Sequence, residues 1–319
     1  MKDTEYAYAV AYTKTLENRM LTKSDIEMLI NAKSFAEAIK LLNDKGYGKK
    51  SNMEDLEGVL KDELEKTWKE VLDATPEEAP LDILKYKNDF HNLKTILKAF
   101  ITGAEWKDLM LEPSILEPEE LYEAIKSADF SLLPEFLKEA AQNGYRIVTL
   151  EHDGQALEIY IDKMTYEAMK KRAEGNEFLL HWIDLNIFFA DILIALRTKG
   201  KSLEFIKRAM IPTDSLDLDE LSKASLLGEE AIADILQNHG YKDAVEELSK
   251  SYGDFEKWCD NKKMEILKQE KNKFFGFEPI MAFLLGKEAE IQAVRIILSG
   301  HKTGIPSEII RERLRDLYV

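Results

Sequence analysis

The triplet Gly200-Lys201-Ser202 has the residue types that close a phosphate-binding loop, where backbone amides and a lysine gather the phosphates of a nucleotide. Such a loop needs another glycine five residues earlier and a strand leading into it, so that the main chain can approach the phosphates. Position 195 is Ala195, and the residues before it carry the apolar period of a helix, so the triplet has no cradle to complete. Ser299-Gly-His-Lys302 has the spacing of a serine nucleophile and its lysine, and Lys302-Thr-Gly304 matches a second element of the same enzymes. Both matches use the single Lys302, whereas that chemistry takes its elements from distant parts of the chain, and no Ser-Asp-Asn element is present.

Histidines stand at 91, 152, 181, 239 and 301, with no His-Glu-x-x-His pair and no spacing that closes a metal site. Glu177, His181 and Asp184 could share one helical face, but a polar stripe on a packed helix has the same spacing. Cys259 lies in Phe255-Glu-Lys-Trp-Cys-Asp260, where acidic neighbours keep a thiol protonated, which suits a structural cysteine. A single cysteine makes no internal disulfide and suggests a reducing compartment such as the cytoplasm. No catalytic residue, cofactor-binding residue or metal ligand is nominated, no cofactor is expected, and the interaction residues stay open.

The elements around these residues are helical. Glycine and proline are scarce, and runs such as Ile26, Leu29, Ile30 and Leu93, Ile96, Leu97, Phe100 show the 3.6-residue apolar period. Ser24-Asp-Ile-Glu27 has the pattern of a capping box, and Glu117-Pro-Glu-Glu, Leu133-Pro-Glu and Ile305-Pro-Ser-Glu suit helix starts. Gly46, Gly103, Gly144, Gly200, Gly240 and Gly300 follow apolar runs, as C-terminal caps do. Residues 146–150 and 157–161 alternate apolar and polar around His152-Asp-Gly154 and could form a hairpin. The repeat described next favours helix from about 156 onward and leaves 146–150 open.

With 44 basic and 60 acidic side chains the net charge is −16, which repels phosphate backbones and anionic lipid alike and argues against a nucleic-acid partner. The N-terminus Met1-Lys-Asp-Thr-Glu-Tyr lacks the basic and apolar regions of a signal peptide. Phe178 to Leu196 has the length of a membrane span, but Asp184 and Asp191 would each cost about 3 kcal/mol near a bilayer centre. We expect a core helix there and no direct membrane insertion.

Three stretches, LLNDKGY, AAQNGY and ILQNHGY, end at Tyr47, Tyr145 and Tyr241, so their glycines are spaced 144 − 46 = 98 and 240 − 144 = 96 residues apart. Leu111 to Leu121 lies over Ile211 to Leu221 without a gap, at an offset of 211 − 111 = 100. DFHNLKTILKA from Asp89 resembles EIQAVRIILSG from Glu290, and DLNIFFADILIA from Asp184 fits with one extra residue. Midway in each copy lies an acidic-aromatic helix, around Trp68, Tyr166 and Trp258. A period near 98 residues is domain-sized and too long for a solenoid. The expected fold is all-α, with three similar helical subdomains (1–115, 116–215 and 216–319) about a pseudo-threefold axis.

The opening YAYAVAYTKTLENRMLTKSDIEMLINAKSFAEAIKLLNDKGYG (Tyr6 to Gly48) resembles the N-terminus of the C subunit of V/A-type rotary ATPases, whose eukaryotic V-ATPase counterpart is the d subunit. FEPIMAFLLGKEAEIQAVRIILSGHKTGIPSEIIRERLRDLYV (Phe277 to Val319) is similar to that family's C-terminus, and the helices from Asp89 and Asp184 fit its middle. The extra residue near Phe188–Ala190 and the His152-Asp-Gly-Gln155 segment depart from its pattern. The resemblance implies a non-catalytic, funnel-like socket on the cytoplasmic face of the membrane. It would receive a central shaft of D and F subunits and sit on the proteolipid rotor ring that moves H⁺ or Na⁺, with ATP turned over elsewhere. Lys302, Arg311, Arg313 and Arg315 could then supply positive contacts, or could answer a helix macrodipole. Two rival classes stay open: a free-standing helical scaffold in another assembly, and a helical enzyme whose metal site would need clustered Asp or His.

Overall fold

A computed structural model of the chain describes residues 3–48, 55–76 and 79–319; Met1 and Lys2 of the N-terminal segment considered above lie outside them. Every regular element among the described residues is helical. In order the α-helices are α1 (Ala7–Glu17), α2 (Lys23–Ile30), α3 (Phe35–Asp44), α4 (Leu56–Ala74), α5 (Tyr86–Thr102), α6 (Pro118–Ser127), α7 (Glu135–Arg146) and α8 (Gly154–Arg172). There follow α9 (Glu177–Arg197), α10 (Leu203–Ala209), α11 (Leu218–Leu227), α12 (Glu229–Asn238), α13 (Lys242–Lys250), α14 (Tyr252–Glu270), α15 (Glu278–Thr303) and α16 (Ser307–Arg313). The all-α expectation holds.

Many of these helices start where a short polar side chain takes up orphan amides. Asp153 receives the amides of Gln155 and Ala156 at 3.0 and 2.9 Å, Asn176 that of Leu179 at 2.9 Å, and Ser251 that of Asp254 at 3.0 Å. The first capping box differs from the expected one. Thr22 and Asp25, not Ser24 and Glu27, exchange side-chain and backbone hydrogen bonds at 2.9 and 3.2 Å, so α2 begins earlier. Asp25 also pairs with Lys45 at 2.7 Å; burial opposes its charge, but the bonds from Lys45 and Thr22 outweigh that and hold its pKa down.

The chain forms two compact units, Met1–Ala79 with Glu246–Val319, and Pro80–Val245. In the first, the 26-residue α15 is the hub and packs on α1, α2, α3, α4, α14 and α16. Its apolar residues surround it instead of forming one stripe, as a central helix requires. One buried cluster joins Ile26, Leu29, Leu42 and Leu60 to Val294, Ile297 and Leu298. The C-terminus returns to this core: Tyr318 is buried, lies over Gly286 where a Cβ would come within 2.5 Å of its ring, and bonds Glu17 at 3.1 Å. In the second unit, α5 carries α6, α7 and α8, and α9 carries α8, α10, α11 and α12.

α9 is the one helix among the described residues long and apolar enough to cross a membrane, and 67% of its apolar window is buried inside the fold. The open segment 146–150 continues α7 into a wider π-type turn, Ile147–Glu151, which ends where His152 turns left-handed (φ +54°). α8 then starts at Gly154, so the helical alternative is correct and no hairpin forms.

The Gly-Tyr motifs are not uniform. Gly46 (φ +97°) and Gly240 (φ +86°) end α3 and α12, and the amides of Tyr47 and Tyr241 return to Leu42 and Leu236 at 3.1 and 2.9 Å. Gly144 instead lies inside α7, where an added Cβ would sit 2.8 Å from Leu97 Cδ1. Packing demands this glycine, not backbone angle. Gly300 likewise lies within α15, and Gly304 (φ +70°) caps it. We expect Gly144→Val to cost about 1–3 kcal/mol by overpacking and to be partly relieved in a Leu97→Ala background. Gly240→Ala should cost about 1–2 kcal/mol through the backbone, and adding Leu97→Ala should simply sum with it. Urea denaturation of the single and double variants checks both.

Candidate functional site

Two carboxylates and an ammonium are buried at the centre of the first unit. Lys287 and Glu290, one turn apart on α15, are 4% and 1% exposed, and Glu63 of α4 is buried opposite them. The ammonium of Lys287 donates to Glu290 Oε1 at 2.7 Å, pairs with Glu63 Oε1 at 2.9 Å, and donates to the Tyr47 hydroxyl at 3.2 Å. That uses all three of its hydrogens. Tyr47 donates its own proton to Glu290 Oε1, and the Leu21 amide donates to Glu290 Oε2 at 2.5 Å. From the rim, Lys66 covers the second oxygen of Glu63 at 3.1 Å. Burial, then the negative charge of Glu290, pushes the Tyr47 hydroxyl well above its ordinary pKa, so it stays a donor. Two positive and two negative charges balance. A cavity of about 660 Å³ opens beside the cluster, lined by Lys45, Gly46, Lys66, Lys69 and Phe283 among others.

In the second unit the same work is done by polar side chains that hold a returning loop. Asn92 of α5 makes two bonds to Leu111, giving its amide hydrogen to the carbonyl at 3.0 Å and accepting the backbone N–H at 2.8 Å. Asp89, 1% exposed, accepts the amides of Ile115 and Leu116 at 3.0 Å each. Burial still raises its carboxyl to about 6. On α9, Asp191 accepts the Ile211 amide at 2.9 Å, and Asp184 takes the Thr213 hydroxyl at 2.9 Å and Lys170 at 3.2 Å. Leu111 and Ile211 are the positions that the sequence repeat superposes, so Asn92 and Asp191 are counterparts at 191 − 92 = 99. Aligning Asp89 with Asp184 gives 184 − 89 = 95, one helical turn away from the register that the hydrogen bonds set.

The Gly-Tyr tyrosines show where each helical pair goes. Tyr47 meets α15 through Lys287 and Glu290; Tyr145 lies 5.7 Å from Phe100 of α5; Tyr241 lies 5.4 and 5.5 Å from Phe188 and Phe189 of α9. The pairs α2–α3, α6–α7 and α11–α12 thus rest on α15, α5 and α9 respectively.

The sequence motifs weighed for chemistry are structural. Ser202 caps α10 by accepting the Phe205 amide at 3.2 Å, and Lys201 lies over the Phe205 ring. Ser299 and Lys302 sit in the last turns of α15. Glu177 and His181 are exposed, and Asp184 binds Thr213 and Lys170 instead of joining them. His91, His152, His239 and His301 each bond a main-chain carbonyl, of Leu109, Val148, Ile235 and Leu29. Cys259 is buried, and burial pushes its thiol up to about 12. Among the described residues no group of three or more His, Cys, Asp or Glu could hold a metal ion. Arg311 and Arg315 bind Glu27 at 3.0 Å and Asp260 at 3.3 Å and so fasten the C-terminus, while Lys302 and Arg313 are exposed. Exposed apolar side chains stand at helix ends: Leu132 before α7, Leu227 at the end of α11, and Phe274 between α14 and α15.

Sequence reasoning missed Glu63, Lys287 and the Tyr47 hydroxyl. The available signal was the row that aligns Glu290 with Asp89, which placed two carboxylates at one position of the repeat. We expect Lys287→Met to cost about 3–5 kcal/mol, since it leaves Glu290 buried without a cation and Glu63 with Lys66 alone. Adding Glu290→Gln should recover part of that loss, as read by denaturant unfolding.

A family model described as ATP synthase (C/AC39) subunit matches residues 9–313. The C subunit of the V-type sodium ATPase of Enterococcus hirae is 24% identical over 278 residues, 83% of each chain. The C subunit of the A-type ATP synthase of Desulfurococcus sp. is 24% identical over 339 residues, covering 98% of this chain and 91% of that one. That of Methanocaldococcus jannaschii is also 24% identical, over 98% of this chain and 86% of its own. The match runs through both units and includes α4, α5, α9, α15 and α16 in full. The chain belongs to the ATP synthase (C/AC39) subunit family.

Proposed function

We propose that this chain is the non-catalytic central-stalk component of a V/A-type rotary ATPase. It forms a socket that couples a rotating shaft of D and F subunits to the membrane proteolipid ring and so to H⁺ or Na⁺ transport. The family match over residues 9–313 carries this assignment. ATP is bound and turned over by other subunits, and this chain passes torque.

The internal packing suits that role. A torque coupler has to be stiff, and close-packed helices transmit strain. The three helical pairs rest on α15, α5 and α9, so the pair of each repeat uses the core helix of the repeat before it, and the first uses the last. A cyclic order of this kind supports three units, 1–115, 116–215 and 216–319, in a pseudo-threefold, funnel-like arrangement. With a net charge of −16 and α9 mostly buried, the chain gains nothing from anionic lipid and is held at the cytoplasmic face by protein contacts.

Native mass spectrometry of the purified chain with the D and F subunits and the detergent-solubilised ring should give a complex containing one copy of this chain bridging shaft and ring. Binding to neither, by a chain whose far-ultraviolet circular dichroism is helical, would refute the coupler and favour a scaffold in another assembly. In reconstituted vesicles, leaving this chain out should preserve ATP hydrolysis by the head and abolish ATP-driven ion uptake.

A further inference from the structure

The loop entering α6 and the loop entering α11 are held by counterpart side chains that differ in one atom. Asn92 meets Leu111 with an acceptor and a donor, and both are used. Asp191 meets Ile211 with its Oδ1 as acceptor at 2.9 Å. Its Oδ2 is buried without a hydrogen-bond partner, in a side chain that is 0% exposed. An ionised carboxylate so placed keeps a full charge on an atom that nothing solvates. No lysine or arginine forms an ion pair with Asp191 among the described residues. Of the elements packed on α9, α8 turns Lys163, Lys170 and Tyr166 toward it, and α10 brings Arg208 near Lys163. Lys170 is committed to Asp184 and to the Pro212 carbonyl at 3.1 Å. On α11 and α12 the described contacts with α9 are apolar, or neutral as in Ser225 to the Ala195 carbonyl, and on α9 itself Asp184 adds a like charge two turns away.

We propose that Asp191 is a proton-dependent clasp: in the folded chain its carboxyl is protonated, and Oδ2–H donates to the Ile211 carbonyl as the Asn92 amide donates to that of Leu111. Loss of the proton to solvent leaves one bond in place of two and a buried charge, and loosens residues 211–217 where they lead into α11. The pKa of this carboxyl, raised to about 7 with burial as its first cause, fits that state.

The sign follows from linkage. A carboxyl at about 3.9 in the unfolded chain and about 7 in the folded one binds its proton more tightly when folded. Its contribution to stability is therefore full below about pH 4, falls up to tenfold in the folding constant per pH unit as pH rises toward 7, and is gone above. The test is urea unfolding of the full chain from pH 5 to 8.5 for the wild type, Asp191→Asn and Lys163→Met. Asp191→Asn should flatten the slope between pH 5 and 7 and raise the folding constant at pH 8 at least tenfold. Asp89 titrates in all three proteins and cancels. Hydrogen exchange at pH 8 should show the Ile211 amide better protected in Asp191→Asn. Parallel pH profiles, or an Asp191→Asn variant less stable than wild type at pH 8 or unable to fold, would overturn the proposal. So would a loss at pH 8 in Lys163→Met matched by Asp191→Asn, because Asp191 would then be an anion held by Lys163.

Discussion

Lys287 has three hydrogens to place out of water, and the three oxygens that receive them come from α4, from the end of α3 and from α15 itself. Buried ion pairs contribute little net stability over a well-packed apolar alternative, but they penalise any arrangement that leaves a charge alone. The cluster therefore acts mainly on specificity. α4 can approach α15 in one register, the turn after α3 can close in one way, and the Leu21 amide fixes the entry to α2 through Glu290. The apolar contacts of Ile26, Leu42, Leu60 and Val294 then fill a frame that the polar atoms have already set.

The second unit solves the same geometric problem with hydrogen bonds to loops instead of an internal salt cluster. Asp89, Asn92 and Asp191 each hold main-chain amides of residues 19 to 27 positions further along the chain. Each returning loop thereby directs the next helical pair back onto the helix that carries the side chain. A repeat built this way needs a neighbour at both ends. Within the first unit, α15 supplies what α2 and α3 lack.

Much of this was legible in the sequence because periodicity and order survive divergence. The helical class, the burial of α9, the structural role of Cys259 and the superposition of Leu111 on Ile211 all followed from residue type and spacing. The ion cluster did not, since Lys287 and Glu290 at a three-residue spacing look like an exposed helical pair, and their burial is set by α4 more than 200 residues away. Gly144 misled for a related reason. Its motif matches Gly46 and Gly240, but the space it vacates is claimed by Leu97, a long-range fact that local spacing does not carry. Thr22 displaced Ser24 as the first cap because both pairs fit the same four-residue pattern, and only the backbone path distinguishes them.

The two units differ in how the ribosome delivers them. Pro80–Val245 is one continuous stretch, whereas Met1–Ala79 must wait for Glu246–Val319. From the end of α4 to the end of α15 there are 303 − 74 = 229 residues. At synthesis rates of about 5–20 residues per second that separation is roughly 10–50 s. Throughout it the apolar faces of α2, α3 and α4 have no hub to cover them, and Glu63 has no Lys287. The nascent N-terminal segment is thus the part of this chain most in need of a holdase, whereas the second unit has all of its own helices long before release.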